Sequence, residues 1–280
     1  MTNSEAERPS LPSEIIEHYE TVEEAERLES ADSEIEKIRT QELLRRYLPP
    51  APAVILDIGG GAGVYAFWLA ERGYQVHLVD GTPRHVAQAE EVAEKIGRQP
   101  LASIKLGDAR QLDHPDSSVD GVLLLGPLYH LTERDDRILA LREAFRVLRP
   151  GGVLLAAAIN RFASMISAML ESLVDDPEFA PIYEQDIRYG QHRNPTDNPE
   201  YFTTAFFHHP QELRDEITTA GFRFESLLAI EGPVRILCDF PQQWSNPEIQ
   251  ERLLKITRLT EAEPTLWGVS THLMGIGKKA

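Results

Sequence analysis

Two carboxylates and a glycine cluster, carried on short apolar runs, are the residues of this chain with the clearest chemical capacity. Val54-Ile55-Leu56-Asp57-Ile58 leads into Gly59-Gly60-Gly61-Ala62-Gly63, and a second apolar run, Val76-His77-Leu78-Val79, ends in Asp80. A strand, a glycine turn, a helix and a second strand ending in an acid make a nucleoside site. The glycines let backbone approach a ligand, and the second acid can accept hydrogen bonds from both ribose hydroxyls. Asp57, two positions before Gly59, is placed to orient the turn or to accept from a ligand ammonium. Gly61-Ala62-Gly63-Val64-Tyr65-Ala66 also fits the G-x-G-x-x-A dinucleotide fingerprint. On these residues alone a nicotinamide cofactor stays open, as does a plain strand-to-helix turn.

Histidines and aromatics mark where a second reactant would meet such a cofactor. Tyr129 and His130 follow an apolar run at 122–125. A tyrosine face attracts cations, and a histidine titrates near neutral pH and can serve as general base. His192 and Arg193 lie in a polar stretch that can bind or deprotonate an acceptor, or simply be a solvated loop. Tyr19 and Arg27, near the N-terminus, are candidates to close over the cofactor and meet its carboxylate, beside a purely structural role. No metal site is expected, because His114, His130, His192 and the His208-His209 pair fall on different elements. His208-His209-Pro210 reads as the capped start of a helix, and Ser164 and Ser167 have no nucleophile-elbow context.

The elements that must hold these residues alternate. Strands are expected near 54–58, 75–80, 102–106, 119–125 and 152–159, with helices near 63–72, 83–97 and 133–148. Such alternation means a parallel sheet with helices on both faces, since parallel strands require crossovers. Residues 13–48 read as two helices that cap this core, within an N-terminal cap of 1–48. The core spans 49–160. A lid or acceptor-binding insertion follows over 161–210, with a helix over 161–174 and then a polar, proline-interrupted run. Residues 211–280 complete the same single domain with a helix at 210–220, a strand at 222–230, a helix at 247–261 and a last strand at 267–277.

Composition excludes several classes. The chain has 280 residues, 42% hydrophobic and 26% charged, as a soluble globular protein would. Its net charge of −17 repels phosphate backbones, and the densest basic run, Arg39 to Arg46, reads as a solvated helix face. No nucleic-acid partner is therefore expected. No stretch approaches a membrane span, the N-terminal residues lack a secretory pattern, and a single cysteine excludes a disulfide framework. A cytoplasmic address is expected, without a membrane partner.

Taken in order, these motifs resemble the class I S-adenosylmethionine-dependent methyltransferases. Leu56 to Gly63 is similar to their first motif, and Asp80-Gly81 to their ribose-binding acid and its neighbour. Gly107-Asp108-Ala109 is similar to the motif whose acid contacts the adenine amino group. Val122 to Tyr129 occupies the fourth-strand motif, and Leu148-Arg149-Pro150-Gly151-Gly152 the turn before the fifth strand. The likeness covers roughly residues 50 to 160. Gly126-Pro127-Leu128-Tyr129-His130-Leu131, Gly190 to Pro195 and Glu231-Gly232-Pro233 further resemble a bacterial small-molecule group. Enzymes of this class that methylate nucleic-acid amino groups carry Asn/Asp-Pro-Pro-Tyr where this chain has Gly126-Pro127-Leu128-Tyr129, which argues against DNA or RNA.

The resemblance implies a doubly wound, mostly parallel seven-stranded sheet of Rossmann-like type. It also implies S-adenosyl-L-methionine as cofactor and in-line methyl transfer to a small-molecule acceptor. The residues it points to for the cofactor are Asp57, Gly59, Gly61, Gly63, Asp80, Gly81, Asp108, Ala109, Leu125 and Gly126, joined by Tyr19 and Arg27. Tyr129 and His130 would be catalytic and, with His192 and Arg193, would touch the acceptor. A homodimer is allowed. The rivals are an NAD-dependent oxidoreductase and a non-catalytic cofactor-binding protein of the same fold.

Overall fold

β1 (Val54–Ile58) explains why the central sheet is covered on both sides. Ile55 and Leu56 are neighbours on a strand, so they point to opposite faces, and both are fully buried. The computed structural model describes residues 12–21, 31–97, 100–196, 198–237 and 239–280. Within them the seven-stranded sheet runs in the order β3 (Ser103–Leu106), β2 (Gln75–Asp80), β1, β4 (Val119–Leu124), β5 (Leu148–Ile159), β9 (His272–Lys278), β8 (Arg223–Ala229). The first five strands are mutually parallel, while β9 lies antiparallel between β5 and β8.

Helices α1 (Ser13–Thr21), α2 (Ala31–Tyr47), α3 (Val64–Ala70) and α4 (Pro83–Ile96) precede β3. The one-turn α5 (Pro127–His130) and α6 (Arg134–Val147) lie between β4 and β5. α7 (Ala163–Leu170) and α8 (Ala180–Tyr189) follow β5, and α9 (Pro210–Thr219) precedes β8. Leu43 and Leu44 of α2, Leu69 of α3 and Ala89 of α4 pack with Ile55, Leu78 and Leu123 on one face. Leu141 and Ala144 of α6 and Leu213 and Ile217 of α9 pack with Leu56 and Val122 on the other.

The expected doubly wound architecture is the observed one, with differences that have local causes. The last strand starts at His272 rather than 267, because Pro264–Val269 coils into a 3-10 segment whose first turn is capped by Glu263. The helix expected over 161–174 stops at Leu170, two residues before Ser172 turns to a positive φ of 61°. The polar stretch after it holds α8 and a hairpin of β6 (Gln191–His192) with β7 (Ala205–Phe206). Arg39 is not on a solvated face: it is fully buried, paired with Glu42 and Glu261, and donates Nε–H to the Ile230 carbonyl at 3.3 Å. His209 does cap α9, with Glu212 reaching back to its N–H. No helix among the described residues is long and apolar enough to cross a membrane.

The chain winds outward from β1 in both directions, to β2 on one side and β4 on the other. At such a switch point the carboxyl ends of the strands leave a crevice.

Candidate active site

That crevice opens into a cavity of about 350 Å³ whose walls come from the ends of β1, β2, β4, β5, β8 and β9. Gly59 closes β1 with φ 68° and donates its N–H to the Val79 carbonyl at 2.7 Å. A Cβ there would lie 2.5 Å from Pro127 Cδ, so glycine lets the β1 turn pack against the end of β4. At Gly61, with φ 56°, an added Cβ would meet nothing within 4 Å; its backbone faces the cavity.

Asp80 binds this turn together. Its Oδ2 accepts from Gly61 N–H at 2.9 Å, and its Oδ1 accepts from Thr82 N–H at 2.8 Å and lies 3.2 Å from His85 Nδ1. Asp57 differs: it is 1% exposed, lines the cavity, and neither oxygen has a hydrogen-bond partner among the described residues. Burial, helped by the negative charge of Asp80, pushes its carboxyl up to about 7.

An aromatic wall stands opposite. Tyr19 Oη lies 2.7 Å from His130 Nε2, and the Tyr19 ring meets the rings of His85 and His130 edge-on at 5.0 and 5.3 Å. Tyr129 packs on His130 at 4.6 Å between centroids, and Phe202 and Phe207 line the cavity beside them.

The third wall lies where β9 begins. β9 runs antiparallel to β5, so its first residue pairs with the last of β5, Ile159 with His272. His272 Nδ1 is 2.5 Å from Glu231 Oε1 in the turn after β8. Glu231 is 1% exposed, and its Oε2 accepts from Ser270 Oγ at 2.8 Å and from His272 N–H at 2.9 Å. Burial works to raise this carboxyl, but the charge and hydrogen bonds of His272, with Arg235, pull it down to about 2. Glu36 of α2 also lines the cavity, 3.9 Å from His272 Nδ1.

Residues 55–152 match the family model described as a methyltransferase domain. Over that segment, about a third of the chain, the chain carries a class I S-adenosylmethionine-dependent methyltransferase domain. Methyltransferase GfsG of Streptomyces halstedii is 33% identical over 43% of this chain and 42% of its own length, so the chain spans less than half of that relative. O-methyltransferase resE of Aspergillus sclerotiorum is 26% identical over 78% of this chain and 74% of its own. A SAM-dependent methyltransferase structure from Methanosarcina mazei, 22% identical, superposes with a TM-score of 0.57 over 85% of this chain and 96% of that one. This last likeness is one of fold.

The cofactor that comes with this methyltransferase family fits the first two walls. S-adenosylmethionine carries an α-ammonium and a sulfonium, and Asp57 offers two buried acceptor oxygens with no hydrogen-bond partner among the described residues. Gly61 leaves open space for an adenosine, next to Asp80. Gly81, Asp108, Ala109, Leu125, Gly126 and Tyr19 all line the same cavity. Asp108 already holds Arg110 N–H, Nε and Nη2 at 2.7 to 2.9 Å, so an adenine amino group would share that carboxylate with a guanidinium. Gly63 starts α3 without lining the cavity, and Arg27 lies outside the described residues.

Three expectations for the acceptor are corrected. His130 sits on the cavity, but burial pushes its imidazole down to about 3, which leaves it too weak a base to take an acceptor proton near neutral pH. His192 is 1% exposed and off the cavity. Its Nδ1 lies 2.8 Å from Asp186 Oδ2, its Nε2 is 2.8 Å from the Tyr201 carbonyl, and its ring stacks on Phe207 at 4.7 Å. Ser164 Oγ donates to the same Asp186 oxygen at 2.6 Å. Arg193 is spent on the carbonyls of His192 and Ala205 and on Gln191 Oε1. These residues brace the hairpin that presents Phe202 and Phe207, which sequence reasoning did not single out. Glu36, Glu231 and His272 also went unnoticed as a group. Their donor atoms lie within 4.8 Å of one another, the one metal-compatible set among the described residues. In the sequence only Glu231-Gly232-Pro233 points toward it, through the resemblance and without a role.

Proposed function

We propose that this chain transfers a methyl group from S-adenosylmethionine to a small-molecule acceptor seated over the ends of β4, β5 and β9. The observation that supports it most is Asp57, a buried carboxylate on the cavity with no hydrogen-bond partner among the described residues. Among the described residues no lysine or arginine lines the cavity, whereas Glu36, Asp57, Asp80 and Asp108 do. Such walls suit a ligand bearing an ammonium and a sulfonium and oppose the diphosphate of NAD. When bound, the cofactor supplies a methyl group already made electrophilic by the cationic sulfur.

The chain's own contribution is alignment and exclusion of water. Asp80 and Gly61 seat the adenosine, and Asp57 holds the amino-acid end. Tyr129 and Phe207 confine the acceptor near the end of β4. Holding the reactants in line can lower a barrier by ~7–11 kcal/mol. The similarity to resE, an O-methyltransferase, supports an acceptor methylated on oxygen. Calorimetric titration with S-adenosylhomocysteine and with NAD tests the reading. Saturable binding of the first and none of the second is expected, and the reverse result would sink it.

A further inference from the structure

We propose that His272, oriented by Glu231, is the base that takes the proton from a hydroxyl acceptor, a phenol or alcohol on an apolar body. The inference rests on the methyl-transfer reading and adds to it a catalyst and an acceptor class. Asp57, Gly61 and Asp80, which seat the amino-acid and ribose parts of the cofactor, lie at the ends of β1 and β2, three strands or more from β9 in the sheet order. The acceptor is left the opposite end, over β5 and β9, where His272 forms the wall.

Glu231 is built to orient that ring. It is buried, and three hydrogen bonds fix it, one of them the 2.5 Å contact to His272 Nδ1. A carboxylate accepts, so Nδ1 carries the hydrogen and Nε2 is the basic nitrogen. Arg39 steadies the same turn through the carbonyl of Ile230. Glu36 from α2 and Glu231 face the ring, with Arg235 beyond Glu231.

The walls also select the acceptor. Ile159, Phe207, Ile230 and Met274 are apolar. A carboxylate or phosphate acceptor would find no lysine or arginine among the described lining residues, and Glu36 would repel it. An ammonium has no lone pair until a proton has left it, whereas a hydroxyl oxygen keeps its lone pairs and sheds its proton as the new bond forms. A neutral hydroxyl thus meets neither difficulty, and a base that takes its proton assists the step. In the step, an oxygen lone pair forms the bond to the methyl carbon while the methyl–sulfur bond breaks onto sulfur. The hydroxyl proton passes to His272 Nε2, and the imidazolium, balanced by Glu231, later releases it to water.

The full-length protein and its Glu231→Gln and His272→Gln variants test this with labelled S-adenosylmethionine. The acceptor set is fixed in advance: phenols, alcohols, amines, thiols and carboxylates. The parent should form methyl ethers, and both variants should lose roughly 10²-fold or more in turnover. Dissociation constants for S-adenosylhomocysteine should stay within about threefold, the control for folding and for the cofactor reading. Independently of turnover, imidazole NMR should show Glu231→Gln lowering the pH at which the His272 ring titrates, and the rate profile should move with it. Transfer to amines, thiols or carboxylates alone, or to none of the set, would overturn the proposal. So would near-parent turnover in His272→Gln, or turnover abolished by chelation and restored by Mn²⁺, which would make the cluster a metal site. Failure of the parent to bind S-adenosylhomocysteine would remove the methyl-transfer reading first.

Discussion

The Tyr19 hydroxyl lies 2.7 Å from His130 Nε2, so α1 is fastened across the cavity to the residue that ends α5. This bond joins residues 111 positions apart and ties the first described helix to the mouth of the β4 turn. Tyr19→Phe keeps the ring and loses one buried hydrogen bond, a cost of about 0.5–1.5 kcal/mol. Hydrogen exchange of residues 13–21 should then quicken, with S-adenosylhomocysteine binding weakened by up to roughly tenfold. Unchanged exchange in the variant would mean that other contacts hold α1.

How much of this was legible in the sequence depends on how local each feature is. Asp57, the glycines and Asp80 sit within one strand-turn-helix-strand unit, so their spacing alone locates the nucleoside half of the cavity. The cluster of Glu36, Glu231 and His272 comes from α2, the turn after β8 and the start of β9. Only the insertion of β9 antiparallel between β5 and β8 brings them together, and no spacing in the chain encodes that. His192 misled for a related reason. A polar run with Gly190 and Pro195 reads as a loop, yet several of its polar groups bond within the insertion. Asn194, for instance, donates to the carbonyls of Asn198 and Phe202. Arg39 shows the same limit, since its partner Glu261 lies 222 residues away.

His192 should therefore matter to stability more than to acceptor affinity. His192→Ala removes both ring-nitrogen contacts and the stack on Phe207, and it strips a buried partner from Asp186. Leaving a buried polar group without its hydrogen-bond partner costs about 1–3 kcal/mol. A large fall in the denaturant midpoint is expected, and Asp186→Asn in the same background should recover part of it. A variant of parental stability with a raised acceptor KM would instead return His192 to the acceptor site.

Asp80 should act on cofactor affinity. Asp80→Ala removes the acceptor for Gly61 and Thr82 N–H as well as any ribose contact. Charge-assisted hydrogen bonds are worth about 1.5–3 kcal/mol each, so S-adenosylhomocysteine affinity should fall at least roughly tenfold. Asp80→Asn, which keeps one acceptor oxygen, should lose less. Equal affinities in the parent and the folded Ala variant would take Asp80 out of the site.

Asp57 links cofactor binding to pH. Its carboxyl is raised from 3.8 to about 7 by burial and by Asp80, so between about 4 and about 7 the folded protein holds a proton that the unfolded chain has released. Its contribution to stability is therefore full below about 4 and is lost as pH rises through about 7, a swing of up to roughly 4 kcal/mol. Asp57→Asn removes this dependence, so the stability gap between variant and parent should widen in the variant's favour from pH 5 to pH 8. A ligand ammonium favours the ionised carboxylate, so binding S-adenosylhomocysteine near pH 6 should expel a proton. In calorimetry the observed heat should then vary with the ionisation enthalpy of the buffer, and this variation should vanish in Asp57→Asn. Affinity of the parent should rise from pH 5.5 toward 7 and level off above it. If parent heats at pH 6 do not depend on the buffer, Asp57 is not the group that receives the ammonium.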